Sequence, residues 1–252
     1  MKFGLFPVQW DDHWQDCVAE CVLAEELGFD SIWIAEHHGR QETYWPAPLT
    51  ALAGIAGRTR RIRLGTGILL LALYHPAQVA EEAAMVDRIS DGRLILGIAN
   101  GYRQEEFDLF GIPLRERGSR VQEGIDVIRR LWTEDNVVHD GRHARRAATT
   151  LYPRPVQKGG PPIWLGGYTP TVLRRAAERA DAWFPGPTTP LPELHRMSEI
   201  YLAAVRAAGK DPARLERPLA REIYVTRDGA AARREAGRLL AALYGEDYLK
   251  WG

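Results

Sequence analysis

Glu36, His37 and His38 follow directly on an apolar run from Ser31 to Ala35. Imidazole titrates near neutrality and is the side chain most often used as a general acid or base. The preceding run has the composition of a strand buried in a parallel sheet. Titratable groups at the carboxyl end of such a strand add nothing to its packing, and in α/β folds that end is where active sites are built. Neighbouring strand residues point to opposite sides. One imidazole can therefore face a mouth while the other braces an adjacent element. His37 is the candidate catalytic residue.

Three glycine-bearing turns could bring backbone close to a ligand. Gly65 and Gly67 stand inside an apolar run, where glycine marks a bulge, a close approach or tight barrel packing. Gly97 and Gly101 flank the end of another strand-like segment, with Asn100 and Tyr102 beside them. Their spacing does not match the dinucleotide fingerprint. Gly166 and Gly167 lie between a strand and a helix start that bears Thr169 and Thr171. Free N–H groups there suit an anion, and Arg120 could supply a positive partner. An ordinary helix cap at Thr169 is the alternative. The remaining histidines, His13, His75, His139, His143 and His195, form no recognisable metal-ligand spacing, so no metal site is expected.

These residues need elements to position them. Strand patterns at 2–8, 31–35, 62–71, 93–98, 163–165, 181–184 and 219–226 alternate with helical patterns at 11–27, 46–58, 76–89, 120–132, 171–179, 191–208 and 230–243. A small hairpin around Asp140 and Gly141 interrupts this order near residues 134–146. Strict alternation predicts an α/β fold with a parallel sheet, and seven units point to a TIM (β/α)8-type barrel forming one domain over residues 1–252. Closure requires an eighth strand, yet the sequence stops at Trp251 and Gly252. The eighth unit is expected to be missing from this chain.

The 252 residues carry 33 basic and 33 acidic side chains, a balance that argues against a nucleic-acid or anionic-membrane surface. The short apolar start is no signal peptide, and no run reaches membrane-spanning length. Cys17 and Cys21 share one helical face and read as small buried side chains in a reducing cytoplasm.

The ordered set of segments resembles the bacterial luciferase-like flavin-dependent monooxygenase family. The resemblance rests on residues 28–38, Gly65 to Gly67, His75 and Pro76, Glu81, residues 90–93, Gly101 and Tyr102, Glu106 and Phe107, Phe110 and Gly111, Arg120, Trp132, residues 153–157 and residues 161–164. It runs from Met1 to about Phe184. It implies a TIM barrel that holds reduced FMN, or the deazaflavin F420, at its mouth. His37 would lie near the ring and take the catalytic role. Glu36, Gly67, Ile68, Asn100, Tyr102, Arg120, Gly166, Gly167, Thr169 and Thr171 would form the cofactor site. A cis peptide would fall between Gly67 and Ile68, and Asn100 stands where some members carry an arginine toward the phosphate.

The resemblance thus implies an oxidoreductase, a monooxygenase acting with O2 on a small organic substrate and fed by a separate flavin reductase. Hydride transfer with F420 and a non-catalytic flavin-binding role are the alternatives. A cytoplasmic homodimer formed through the helices after strands two and three is also implied.

Overall fold

The structure is a computed structural model that describes residues 1–9, 13–39 and 44–245. Its elements are β1 (Gly4–Leu5), α1 (Trp14–Glu26), β2 (Ser31–Ile34), α2 (Pro48–Ala56), β3 (Arg63–Thr66), α3 (Pro76–Ile89), β4 (Leu94–Ile98), α4 (Gln104–Leu109), α5 (Arg117–Thr133), β5 (Val137–Asp140), β6 (Arg145–Thr149), β7 (Ile163–Gly166), α6 (Pro170–Arg179), β8 (Ala182–Phe184), α7 (Leu191–Ala207) and α8 (Gly229–Gly245). The expected helix start at Asp11 and Asp12, and the chain end at Trp251 and Gly252, lie outside the described residues.

Six strands form one sheet in the order β1-β2-β3-β4-β7-β8, and every pair is parallel. Each strand lies beside its predecessor in the sheet. That is the winding of a barrel; a doubly wound sheet reverses direction. Side-chain distances show the curl. In a flat sheet β2 and β7 would stand three strand spacings apart, roughly 14 Å. The Trp33 and Trp164 rings nevertheless stack at 4.8 Å between centroids, and Phe6 and Phe184, from the two edge strands' ends, lie 6.5 Å apart.

Alternation along each strand sorts residues between two cores. Ile32, Ile34, Leu64, Leu94, Leu96, Ile163 and Leu165 face the helices in the larger core. Trp33, Ile95, Trp164, Ala182 and Phe184 fill the concave interior. The register sets Gly65 opposite Trp33, and a Cβ there would come within 2.2 Å of the indole. Gly65 therefore makes room for the interior aromatic, which is barrel packing.

One expectation needs correction. Leu219 to Thr226 is not a strand, and it pairs with no sheet among the described residues. Ala220 rests against the interior cluster, and Arg221 donates to the carbonyls of Gly186, Pro187 and Thr189. Ile223 and Val225 have strand propensity but are exposed, and propensity without a ladder partner does not make a strand. Pro218, which lacks an N–H, stands at the head of the run. The sheet is accordingly a curled parallel sheet of six strands among the described residues, where seven were expected.

The hairpin forms as β5 and β6, antiparallel. Glu123 of α5 anchors it by accepting from the backbone N–H of His143 and Ala144. No helix among the described residues is long and apolar enough to cross a membrane.

Candidate active site

The site grows from the end of β2. Gln9 clamps that end, with its amide donating to the Ala35 carbonyl at 3.0 Å and accepting from the Ala35 N–H at 2.8 Å. Beyond Ala35 the three titratable residues diverge. Glu36 turns inward, where one oxygen meets His38 Nε2 at 2.6 Å and the Tyr74 hydroxyl, and the other accepts from the Leu70 N–H at 2.7 Å. Burial and the Glu36 charge push the Tyr74 phenol up, so it remains a donor. His38 is buried with its ring edge-on to Phe110. Glu36 and His38 thus brace the wall between β2 and the turn after β3.

His37 points the other way. Its Nδ1 lies 2.7 Å from Glu106 Oε1, between the rings of Tyr44 at 5.4 Å and Tyr102 at 6.3 Å. Glu106 also accepts from the His38 N–H at 3.1 Å and lies 3.6 Å from Arg103 Nη1. Burial alone raises the Glu106 carboxyl, but the His37 hydrogen bond and charge, the His38 amide and the Arg103 charge outweigh it and hold the group below its usual range. Glu106 is therefore an ionised acceptor at neutral pH. An ionised carboxylate can only accept, so His37 Nδ1 is the donor of this bond, and in the neutral ring Nε2 is the accepting nitrogen.

The turn after β3 forms the next wall. Gly67 donates to the Ile34 carbonyl at 2.7 Å, and the Gly67–Ile68 peptide is cis, as the family resemblance implies. The chain then rejoins β4, with Leu69 donating to Gly97 and Ala99 to Leu69, both at 2.9 Å. A Cβ on Gly67 would meet the Phe6 ring at 2.6 Å, and one on Gly166 would meet Ile68 Cδ1 at 2.2 Å. Phe6, Ile68 and the end of β7 therefore make an apolar floor over Trp33, Trp164 and Phe184.

The other candidates are placed as follows. Thr169 caps α6, accepting from the Val172 N–H at 3.4 Å, while Thr171 is exposed in the first turn. The Gly167 carbonyl accepts from Trp183 Nε1 at 2.9 Å. Arg120 Nε donates to the Ala72 carbonyl at 2.7 Å, so it ties α5 to the link after β3. No described contact joins Arg120 to the Thr169 turn. Tyr102 faces His37, and Asn100 is half-buried at the end of β4.

Among the described residues three buried side-chain polar atoms lack a hydrogen-bond partner: Asn100 Oδ1, Arg103 Nη1 and Glu106 Oε2. Asn100 and Arg103 lie in the connection between β4 and α4, and Glu106 lies in α4 itself. Buried polar atoms are nearly always paired in native proteins, and exceptions mark functional sites or missing partners. Arg103 and Glu106 are the residues that sequence reading missed as site members. The signals for Glu106 were its place among the residues that carry the family resemblance and its position directly beside Phe107, which is fully buried.

The family model for luciferase-like monooxygenases matches residues 2–250. The oxygenase component of a flavin-dependent trigonelline monooxygenase from Acinetobacter baylyi is 36% identical over 159 residues, covering 62% of this chain and 44% of that protein. An F420-dependent glucose-6-phosphate dehydrogenase from Amycolatopsis mediterranei is 32% identical over 176 residues, covering 67% of this chain and 52% of that protein. The crystal structure of the monooxygenase RslO1 from Streptomyces bottropensis superposes with a TM-score of 0.84 at 33% identity, covering 94% of this chain and 76% of that one. The chain spans about half the length of these two curated relatives. It belongs to the luciferase-like monooxygenase family.

Proposed function

We propose that the chain is the catalytic barrel of a flavin-dependent oxidoreductase, a monooxygenase that uses reduced FMN and O2 on a small organic substrate. The cluster of unpartnered buried atoms beside an oriented imidazole carries the reading. A flat heterocycle with a polar edge fits an apolar floor flanked by two free acceptors, Asn100 Oδ1 and Glu106 Oε2. When bound, the reduced ring supplies the electrons, either to O2 or as a hydride.

The chain's own residues position the ring and handle protons. Phe6, Ile68 and the glycine turn at Gly67 offer a surface without polar groups and keep water from one face of the ring. Asn100 and Tyr102 border it on the β4 side. His37 Nε2 takes or returns a proton at the reacting edge, while Glu106 stabilises the imidazolium that forms. Glu36 supports the site from behind as a positioning residue, since both its oxygens are engaged within the protein. Thr169, Thr171, Gly166, Gly167 and Arg120 are proposed for the phosphate end.

Likeness to an oxygenase component and to a monooxygenase structure favours FMN with a separate reductase. Likeness to an F420-dependent dehydrogenase supports the second reading, hydride transfer with F420. A homodimer through α2 and α3 is proposed too, supported by Met85 and Ile89, apolar and exposed one turn apart on α3. Reconstitution with each reduced cofactor decides between the chemistries. Oxygen uptake with FMN supports the first reading. Substrate-dependent oxidation of reduced F420 without oxygen uptake supports the second, and no binding of either removes both.

A further inference from the structure

We infer that Arg103 is the anchor for a substrate oxyanion, so the enzyme selects small substrates that carry a carboxylate close to the reacting carbon. This rests on the proposed oxidoreductase site and names its substrate class.

The guanidinium is largely withdrawn from water, with its side chain 14% exposed. Nη1 is buried with no hydrogen-bond partner among the described residues. Glu106 lies 3.6 Å from Nη1, beyond hydrogen-bonding reach. The Glu106 oxygen that faces it, Oε1, is already held by His37 Nδ1 at 2.7 Å and by the His38 N–H at 3.1 Å. Glu106 therefore sits beside the Arg103 guanidinium without satisfying Nη1. Leaving a charged donor buried and unpaired is costly, and a carboxylate or phosphate matches the guanidinium fork in two parallel bonds.

Position separates substrate from cofactor as the source of that oxyanion. Arg103 and His37 approach the same carboxylate oxygen, so the guanidinium lies on the imidazole's side of the mouth. A flavin phosphate is held away from its ring by the whole ribityl chain. An arginine sharing an anchor with the ring-facing histidine is placed for the substrate.

The test uses benzoate and benzamide, two probes of one shape that differ in charge. Calorimetric titration of the full chain, with and without FMN, should show benzoate binding at least tenfold tighter than benzamide. Arg103→Gln should weaken benzoate on the order of 10- to 100-fold, leave benzamide unchanged, and keep the wild-type ratio of FMN to riboflavin affinity. Arg103→Lys should recover part of the benzoate affinity. Equal binding of the two probes to the wild type, or undiminished benzoate binding to Arg103→Gln, overturns the inference. So does loss of the FMN preference over riboflavin in Arg103→Gln, which would assign the residue to the cofactor phosphate. If neither FMN nor F420 binds, the oxidoreductase reading falls, while the cofactor-free titration still decides for or against the oxyanion anchor.

Discussion

His37 Nδ1 and Glu106 Oε1 stand 2.7 Å apart although 69 positions separate them in sequence. The bond joins the end of β2 to the short helix α4, with the Glu106 side chain only 1% exposed. The direction in which the imidazole faces is therefore set by a helix from a different βα unit.

Replacing His37 by Asn keeps a polar side chain but removes the proton carrier. Steady-state turnover of the reconstituted enzyme should fall about 10²- to 10⁴-fold, while flavin affinity by fluorescence titration changes less than about threefold. Undiminished turnover would remove His37 from the mechanism.

Glu106→Gln preserves shape and loses the charge. We expect kcat to drop on the order of tenfold to a hundredfold, with KM and the thermal midpoint close to the wild type. A large fall in thermal midpoint with kcat intact would make Glu106 a purely architectural group.

Glu25 receives the backbone N–H groups of Arg60, Arg61 and Ile62. Burial alone raises its carboxyl, but the amides of Ile62, Arg61 and Arg60 and the Arg61 charge hold it below the usual range. A depressed folded pKa stabilises the fold above the unfolded value, about 4.3 for glutamate, and that contribution disappears as pH falls through the folded value. Glu25→Gln should thus melt lower than the wild type at pH 7. The two melting curves should converge in strongly acidic buffer, and a difference that persists there would contradict the assignment.

At Gly97 a Cβ would lie 2.0 Å from the Thr66 carbonyl oxygen, which belongs to the adjoining strand and cannot swing aside. Gly97→Ala should destabilise the protein by about 3 kcal/mol or more, measured by urea unfolding. A loss under about 1 kcal/mol would show that β3 and β4 separate more easily than their ladder suggests.

Much of the frame was legible because it follows from period and punctuation. The alternation of apolar runs and helical stripes gave the parallel order, and Pro76 to Ile89 formed at its expected bounds. The cis peptide between Gly67 and Ile68 was legible only through family resemblance. Glu106 was not, because α4 is six residues long and too short to display a stripe. Its neighbours Gln104, Glu105 and Asp108 are polar and exposed, so no apolar period surrounds it. The run from Leu219 to Thr226 failed for the opposite reason, since side-chain preference was plain and partnership was absent. Thr169 and Arg120 have the chemistry of phosphate ligands, yet each has a bond within the protein that no linear spacing reveals.

The stacked indoles of Trp33 and Trp164 lie directly beneath the apolar floor. Indole emission overlaps flavin absorption, and energy transfer between such neighbours is steep in distance. At the proposed flavin site these indoles would act as a built-in optical gauge of occupancy, dimming as a tricyclic ring settles above them and brightening as the ring departs.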